Sequence, residues 1–295
     1  MEWPPAEVSV TPEVVVGLLE DQAPQYAHLE VALLGEGFDN WIFAIGPELC
    51  ARLPRRAVAV ALLANEQRWL PEVAARVELA LPVPVLLGEA TSTYPFPWHL
   101  CRQVAGTPAD QLGPLSSEAA TALGHFLRAL HLPATAEMPV NPWRSVDLAT
   151  RAEGFRQRVE VLGDALDASV PRIFEWASGL AGPPQRRFLH GDCHPGNLVT
   201  AGGVLTGVLD FGDCCAGDPA VDLGAALLAV DHAGASALLG AYGADDPLLR
   251  GRAAGWAALF SVLHLGSGAG LGPYSAATAQ LGVDNARALA AEHLG

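Results

Sequence analysis

Two short stretches constrain this chain more than any other part of it: HGDCHPGN at residues 190–197 and DFG at residues 210–212. Between them lie two apolar runs joined by Ala201, Gly202 and Gly203, the signal of a β-hairpin. Antiparallel strands joined by a tight turn bring their open ends together. Asn197, just before the first strand, and Asp210, just after the second, are therefore expected side by side. An asparagine carbonyl beside a carboxylate offers hard oxygen donors, which suit Mg²⁺ better than zinc. Asp192 stands across the Pro195-Gly196 turn, placed to face the same centre without being a ligand. Two groups that hold metal on nucleotide phosphates, with a third that orients an acceptor hydroxyl and takes its proton, make up the logic of phosphoryl transfer.

Each of these residues alone also reads as an ordinary turn or cap residue. Zinc held by Cys193 and His194 would need further ligands at similar spacing, and the neighbouring sequence supplies none. His190 reads as a loop-ordering hydrogen-bond group, and Cys214 and Cys215 as small apolar packing residues.

Apolar periodicity organises the rest. A short helix at 12–21 precedes strands at 29–35, 41–46 and 49–53, a helix at about 58–78, and two further strands at 82–89 and 98–106. From there the pattern is mainly helical, over 116–131, about 145–180, 219–243, 247–266 and 275–294, interrupted by the hairpin. The expected class is α+β, with a small β-rich lobe over 1–104 and a larger helical lobe over 105–295. Tryptophans 98, 143, 176 and 256 read as core residues.

His190-Gly191-Asp192, four residues, Asn197, a hairpin and Asp210-Phe211-Gly212 reproduce the order of the protein-kinase catalytic loop and metal-binding segment. LHGDCHPGNLV and VLDFGDCCAGDPAVDLG, with FLRALH at 126–131, closely resemble the aminoglycoside phosphotransferase family, whose relatives include macrolide phosphotransferases and choline kinases. The resemblance implies a bilobal protein-kinase-like fold and transfer of the γ-phosphate of ATP or GTP to a hydroxyl, with Mg²⁺. It makes Asp192 the catalytic base, Asn197 and Asp210 the metal ligands, and Asp218 and Asp222 structural braces. Gly35, Gly37 and Phe38 would cover the phosphates, although the two glycines also fit a plain hairpin turn. Arg52 would be the third-strand cation, with Arg55 or Arg56 as alternatives. Glu66 would be its partner on the following helix, or else a solvated helix residue. Arg102 and Val104 fall in the segment expected to contact the base through main chain. Acceptor candidates are Asp213, Asp231, Trp256, His264, Tyr274 and Asp284.

Charge bears on the acceptor. The formal charge is −15, which excludes a nucleic-acid partner that would need a basic face. Every cation is arginine, so a Schiff-base lysine is excluded. No arginine falls between Arg187 and Arg250, a stretch rich in aspartate, and the resulting field favours a cationic small molecule. The bland alternative is that these aspartates cap helices or face solvent. Five scattered cysteines argue against a disulfide framework. With no visible signal peptide and no apolar run of membrane-spanning length, the expectation is a cytoplasmic monomer or homodimer. An aminoglycoside-like acceptor leads. A metabolic acceptor (choline, homoserine, a thiosugar or a glycated amine), a macrolide, and a non-catalytic nucleotide-binding scaffold are the alternatives.

Overall fold

The computed structural model of the chain describes residues 4–266 and 275–294. Helix α1 (Pro12–Gln22) opens with proline, whose missing N–H costs nothing in a first turn. Strands β1 (Val31–Glu36), β2 (Asn40–Ile45) and β3 (Leu49–Pro54) form a meander, followed by α2 (Ala59–Ala74), β4 (Pro84–Gly88) and β5 (Trp98–Arg102). The sheet is antiparallel, in the order β1-β2-β3-β5-β4. β3 is buried along its whole length, as a central strand between two partners should be. Phe43, Ile45, Leu53, Trp98 and Leu100 pack with Val15, Leu18 and Leu19 of α1 into a core of their own. Gly88 is forced by Trp98: a Cβ there would lie 2.1 Å from the indole.

After the short strand β6 (Thr107–Pro108) come α3 (Ser117–Leu130), α4 (Ala152–Leu162), α5 (Ser169–Ser178), β7 (Arg187–Leu189), β8 (Leu198–Ala201), β9 (Val204–Val208) and β10 (Cys215–Gly217). The last helices are α6 (Ala220–Ala226), α7 (His232–Tyr242), α8 (Pro247–Gly266) and α9 (Ser275–Leu294). Ser116 caps α3 by accepting from Ala119 N at 3.1 Å, and the helix buries Leu123, Phe126, Leu127 and Leu130 on one face. Gly124 lets α3 approach α7 closely, since a Cβ would sit 2.4 Å from Leu238 O. A second, larger core joins α3, α5, α6, α8 and α9 around Trp256 and Phe260.

Two expected helices are broken. The one over 145–180 gives a 3-10 turn and then α4, which stops at Gly163 (φ 50°). The chain restarts at α5, where Asp167 accepts from Ser169 N at 2.8 Å. The one over 219–243 divides at Val230, which is extended and bridges Leu115, before Asp231 caps α7. Trp143 is also not a core residue: it is 61% exposed, with the Arg151 guanidinium 4.7 Å from its ring. Among the described residues no helix is long and apolar enough to cross a membrane.

Besides the chain crossover itself, backbone and side-chain contacts join the lobes, and α2 also packs Trp69, Leu70 and Val73 into the larger core. Ala80, between α2 and β4, runs alongside Gly207 of β9, giving its N–H to Thr206 O and receiving Val208 N–H, both at 3.1 Å. Asn65 of α2 donates to Gly212 O at 2.9 Å.

Candidate active site

The hairpin β8–β9 sets the geometry. Leu198 pairs with Val208, and beyond that rung Leu209 N donates to Asn197 O at 2.8 Å. Asn197 and Asp210 therefore leave the same end of the ribbon, as the turn chemistry predicts. Asn197 gives its side-chain N–H to Asp192 O at 2.9 Å, which fixes the amide and leaves its oxygen for a cation. Asp210 is left-handed (φ 61°), unusual for a residue with a Cβ, and its carboxylate is 49% exposed.

Asp222, fully buried on α6, organises the catalytic loop. Its carboxylate accepts from His190 N at 2.7 Å and Gly191 N at 2.8 Å, and lies 3.0 Å from His131 Nε2. Gly191 (φ 87°) has no substitute, because a Cβ would fall 2.3 Å from Asp213 O. His190 Nδ1 accepts from Asp192 N at 3.1 Å, so Nε2 carries the hydrogen and donates to Leu209 O at 2.8 Å. The loop is thus tied to the hairpin by a histidine acting through hydrogen bonds. Asp218 braces a neighbouring turn, pairing with Arg252 at 2.6 Å and accepting from Ala220 N at 3.0 Å.

The Asp192 carboxylate is 28% exposed and sits between two cationic or polar groups. Arg144 Nη2 lies 3.0 Å from Oδ1, and Arg144 Nε donates to Gly191 O at 2.6 Å. His194 Nε2 lies 3.5 Å from Oδ2. Burial pushes this carboxyl up, but His194, Arg144 and His190 outweigh it and hold it below the usual carboxylate range. Next to it, Asp213 accepts from Asn141 Nδ2 at 2.6 Å. Burial and then the Asp192 charge push its carboxyl up to about 6. Two neighbouring acids with opposite shifts divide the labour: one anionic throughout, the other able to hold a proton near neutrality.

From the smaller lobe, Arg52 of β3 reaches Glu66 of α2 at 3.1 Å and Asp210 at 3.4 Å. Glu66 also accepts from Phe211 N at 3.1 Å, so one buried carboxylate ties the guanidinium to the backbone beside Asp210. Burial pushes Glu66 up to about 7 against the pull of Arg52. Arg52 is therefore the arginine that enters the cleft. Arg55 instead donates to Gly37 O at 2.9 Å and pairs with Glu36, while Arg56 pairs with Asp39 at 2.7 Å and lies 5.1 Å from the Phe38 ring. These two hold the turn between β1 and β2, which carries Gly37, in shape, with Phe38 exposed at its tip and Gly35 paired with Ile42 in β1 just before it.

Arg102 is exposed at the end of β5, and Val104 packs toward β9, within reach of Gly207. The acceptor candidates scatter. Asp213 is at the site. Asp231 accepts from Gly234 N at 2.8 Å as the cap of α7, Trp256 is sealed in the core, and Asp284 lies on α9 accepting from Gln280 at 2.9 Å. Tyr274 lies outside the described residues. His264 of α8 faces His194, ring centres 5.6 Å apart, with burial pushing it down to about 4. Arg144 and Asn141 were not singled out from the sequence. They belong to an irregular segment whose only local signal is Asn-Pro, where the Asn141 side chain turns back onto Trp143 N at 2.8 Å.

The aspartate surplus after Arg187 is mostly accounted for. Asp192, Asp210, Asp218 and Asp222 have arginine or histidine partners, and Asp231 and Asp246 accept from backbone N–H groups at helix starts. The bland reading, caps or solvent-facing residues, holds for Asp231, Asp245 and Asp246, while four others are offset by basic partners. Beside Pro195 a cavity of about 250 Å³ opens, walled by Pro114, Leu228, Ala229 and Leu281.

Among the described residues no three His, Cys, Asp or Glu side chains converge as a metal cage. Asn197 and Asp210 supply two hard oxygens at one end of the hairpin. That set fits a cation such as Mg²⁺, which normally takes one or two protein oxygens and completes its shell with phosphate and water.

A sequence model of the phosphotransferase enzyme family matches residues 30–258. No curated protein sequence matches the chain. Among solved structures, the GDP complex of wild-type aminoglycoside 2'-phosphotransferase-IIIa superposes with a TM-score of 0.66 at 19% identity, over 95% of this chain and 99% of that one. The apoenzyme of macrolide 2'-phosphotransferase MphH from Brachybacterium faecium gives 0.60 at 22% identity, over 94% and 97%. The streptomycin–ATP ternary complex of APH(2'')-IIa gives 0.59 at 18% identity, over 88% and 91%. At these identities the likeness is one of fold.

Proposed function

The chain belongs to the phosphotransferase enzyme family, and from that premise we propose that it is a small-molecule kinase, moving the γ-phosphate of ATP or GTP to a hydroxyl of an aminoglycoside-like antibiotic. The observation that carries the reading is the meeting of Asp192, Asn197 and Asp210 at one end of the β8–β9 hairpin, faced by Arg52. Asn197 and Asp210 would hold Mg²⁺, which when bound neutralises phosphate charge. Arg52, anchored by Glu66, orients phosphate oxygens through a planar guanidinium that can engage two at once. The end of β1 at Gly35 and the turn carrying Gly37 and Phe38 cover them, and the backbone at Arg102–Val104 receives the base. Asp192 accepts a hydrogen bond from the acceptor hydroxyl, aims its oxygen at phosphorus, and takes the proton as the new P–O bond forms and the bond from phosphorus to the β–γ bridging oxygen breaks, the nucleoside diphosphate leaving with that oxygen.

Arg144 positions that carboxylate. Arg144→Ala should lower kcat by about tenfold to a hundredfold, the worth of one or two charge-assisted hydrogen bonds, with nucleotide affinity little changed. A KM-against-kcat comparison with Arg144→Lys checks this, since lysine restores charge but not the fork.

Net charge of −15 supports a cationic acceptor. A second reading, a macrolide, is supported by the apolar cavity beside Pro195 and by the partnering of most nearby aspartates. An ADP-release (or GDP-release) assay with purified protein, Mg·ATP or Mg·GTP and a panel of aminoglycosides, macrolides, choline and homoserine decides. Release stimulated by an aminoglycoside is the expected result. Stimulation by a macrolide alone establishes the second reading, and stimulation by a metabolite alone rejects both antibiotics. Nucleotide binding without release on any acceptor would leave only a scaffold.

A further inference from the structure

Two cysteines of the smaller lobe are not used by this mechanism. Cys50 of β3 and Cys101 of β5 are direct cross-strand partners, their sulfurs 3.2 Å apart, and both are free thiols. Partners across an antiparallel pair hold their Cα atoms about 4.5–5.5 Å apart, inside the range a disulfide spans, so bonding needs side-chain rotation rather than backbone movement. The pair is placed beside the nucleotide arm. Strand alternation puts Cys50 on the same face as Arg52, and Cys101 on the same face as His99, which is the register partner of Arg52. Just past Cys101, Gln103 is bonded back to Glu48 O and Leu49 O at 2.8 and 2.9 Å, so the crossover hangs directly from these two rungs.

The five cysteines also differ in chemistry. Burial pushes the thiols of Cys193, Cys214 and Cys215 up, the last to about 12. Cys50 is held below its ordinary value because the Cys101 thiol donates to it, outweighing burial, and the Arg52 charge adds to the effect. A thiol held below its ordinary value with a second thiol in bonding distance is two parts of a redox-sensitive pair; the third, access, falls to Cys50, which is 8% exposed while Cys101 is fully buried.

We propose that Cys50 and Cys101 form a reversible disulfide site for hydroperoxides, and that closing it weakens nucleotide binding. The Cys50 thiolate attacks a peroxide oxygen; an S–O bond forms, the O–O bond breaks, and hydroxide leaves to become water. The Cys101 sulfur then attacks the Cys50 sulfur; the S–S bond forms, the S–O bond breaks, and the departing hydroxide leaves as water with the Cys101 proton. Two thiols lose two electrons, and the peroxide gains them. Closing the pair turns the Cys50 side chain, which shares a face with Arg52, and removes the sulfur charge that acts on that guanidinium. The weakening of nucleotide binding rests on the kinase reading; the cross-link itself does not.

The test exposes the nucleotide-free full chain to hydrogen peroxide, then maps peptides under non-reducing conditions. The expected result is one peptide pair joining Cys50 to Cys101, lighter by two hydrogens and released by dithiothreitol. Cys101→Ser should stop at a sulfenic acid on Cys50 that dimedone captures, and Cys50→Ser should give neither product. Should one variant fail to fold, the other and the wild-type map still decide. Both thiols remaining fully alkylatable after peroxide, or a cross-link elsewhere, overturns the site. Titration of Mg·ATP and Mg·GTP into oxidised and re-reduced protein reads the coupling. Affinity should fall by about tenfold and recover on reduction; an unchanged Kd overturns the coupling while leaving the mapped cross-link and the turnover assay to stand independently.

Discussion

Asp192→Asn yields a folded protein that binds nucleotide with near-native affinity and turns over about 10²–10⁴ times more slowly, the usual contribution of a positioned base. The variant is a fair probe of chemistry. Asparagine has nearly the same volume, and its carbonyl can still accept from Arg144, which now lies 3.0 Å from the carboxylate. The backbone contacts of this residue, from Asn197 to its carbonyl and from its N–H to His190, do not involve the side chain that changes. What disappears is a charge held anionic by His194, Arg144 and His190 against the push of burial. Steady-state turnover beside a nucleotide titration separates the outcomes. A near-native rate would move the base role to another acid, Asp213 being the neighbour with the right shift to serve.

The largest stability effect belongs to Asp222→Ala. Three groups converge on this buried carboxylate: two loop N–H groups and the His131 ring, itself bonded to the Tyr242 hydroxyl at 2.9 Å. Alanine strands all of them in a buried core, at a cost of about 3–5 kcal/mol, the range for breaking a buried charged network. The pH dependence has a definite sign. Burial pushes Asp222 up, but hydrogen bonding and charge from His131, then His190 and Gly191, bring it below its ordinary value. A carboxyl whose folded pKa is depressed contributes stability that is fully present above its unfolded value, about 3.9, and is lost as pH falls through the folded one. Urea unfolding of the native chain should therefore show an acid limb below about pH 4 that is shallower in the variant. Equal limbs would mean that Asp222 enters the fold uncharged.

The centre of the site was legible because its register is local. A turn signal and two short apolar runs suffice to bring Asn197 and Asp210 together, and the spacing from Asp192 does the rest. The same holds for Arg52 and Glu66, one on a strand and the other on the next helix. What sequence reading missed came from far away along the chain. Arg144 reaches a loop 48 residues on, and Arg252 meets an aspartate 34 residues back, so the run without arginine looked more negative than its surroundings are. Periodicity also carried helices through Gly163 and Val230, where a positive φ and an extended residue stop them. Trp143 was misplaced for a related reason: a large ring on an irregular segment has no period to say which way it faces.

The backbone rung between Ala80 and Gly207 has a mechanical meaning. Together with the covalent crossover at 103–106, it pins the smaller lobe to the hairpin along one line. A rocking of that lobe which kept both Ala80 hydrogen bonds would still have to strain the contacts of Arg52 with Asp210, of Glu66 with Phe211 N and of Asn65 with Gly212 O. Opening the smaller lobe and loosening Arg52 from Asp210 would thus be a single event.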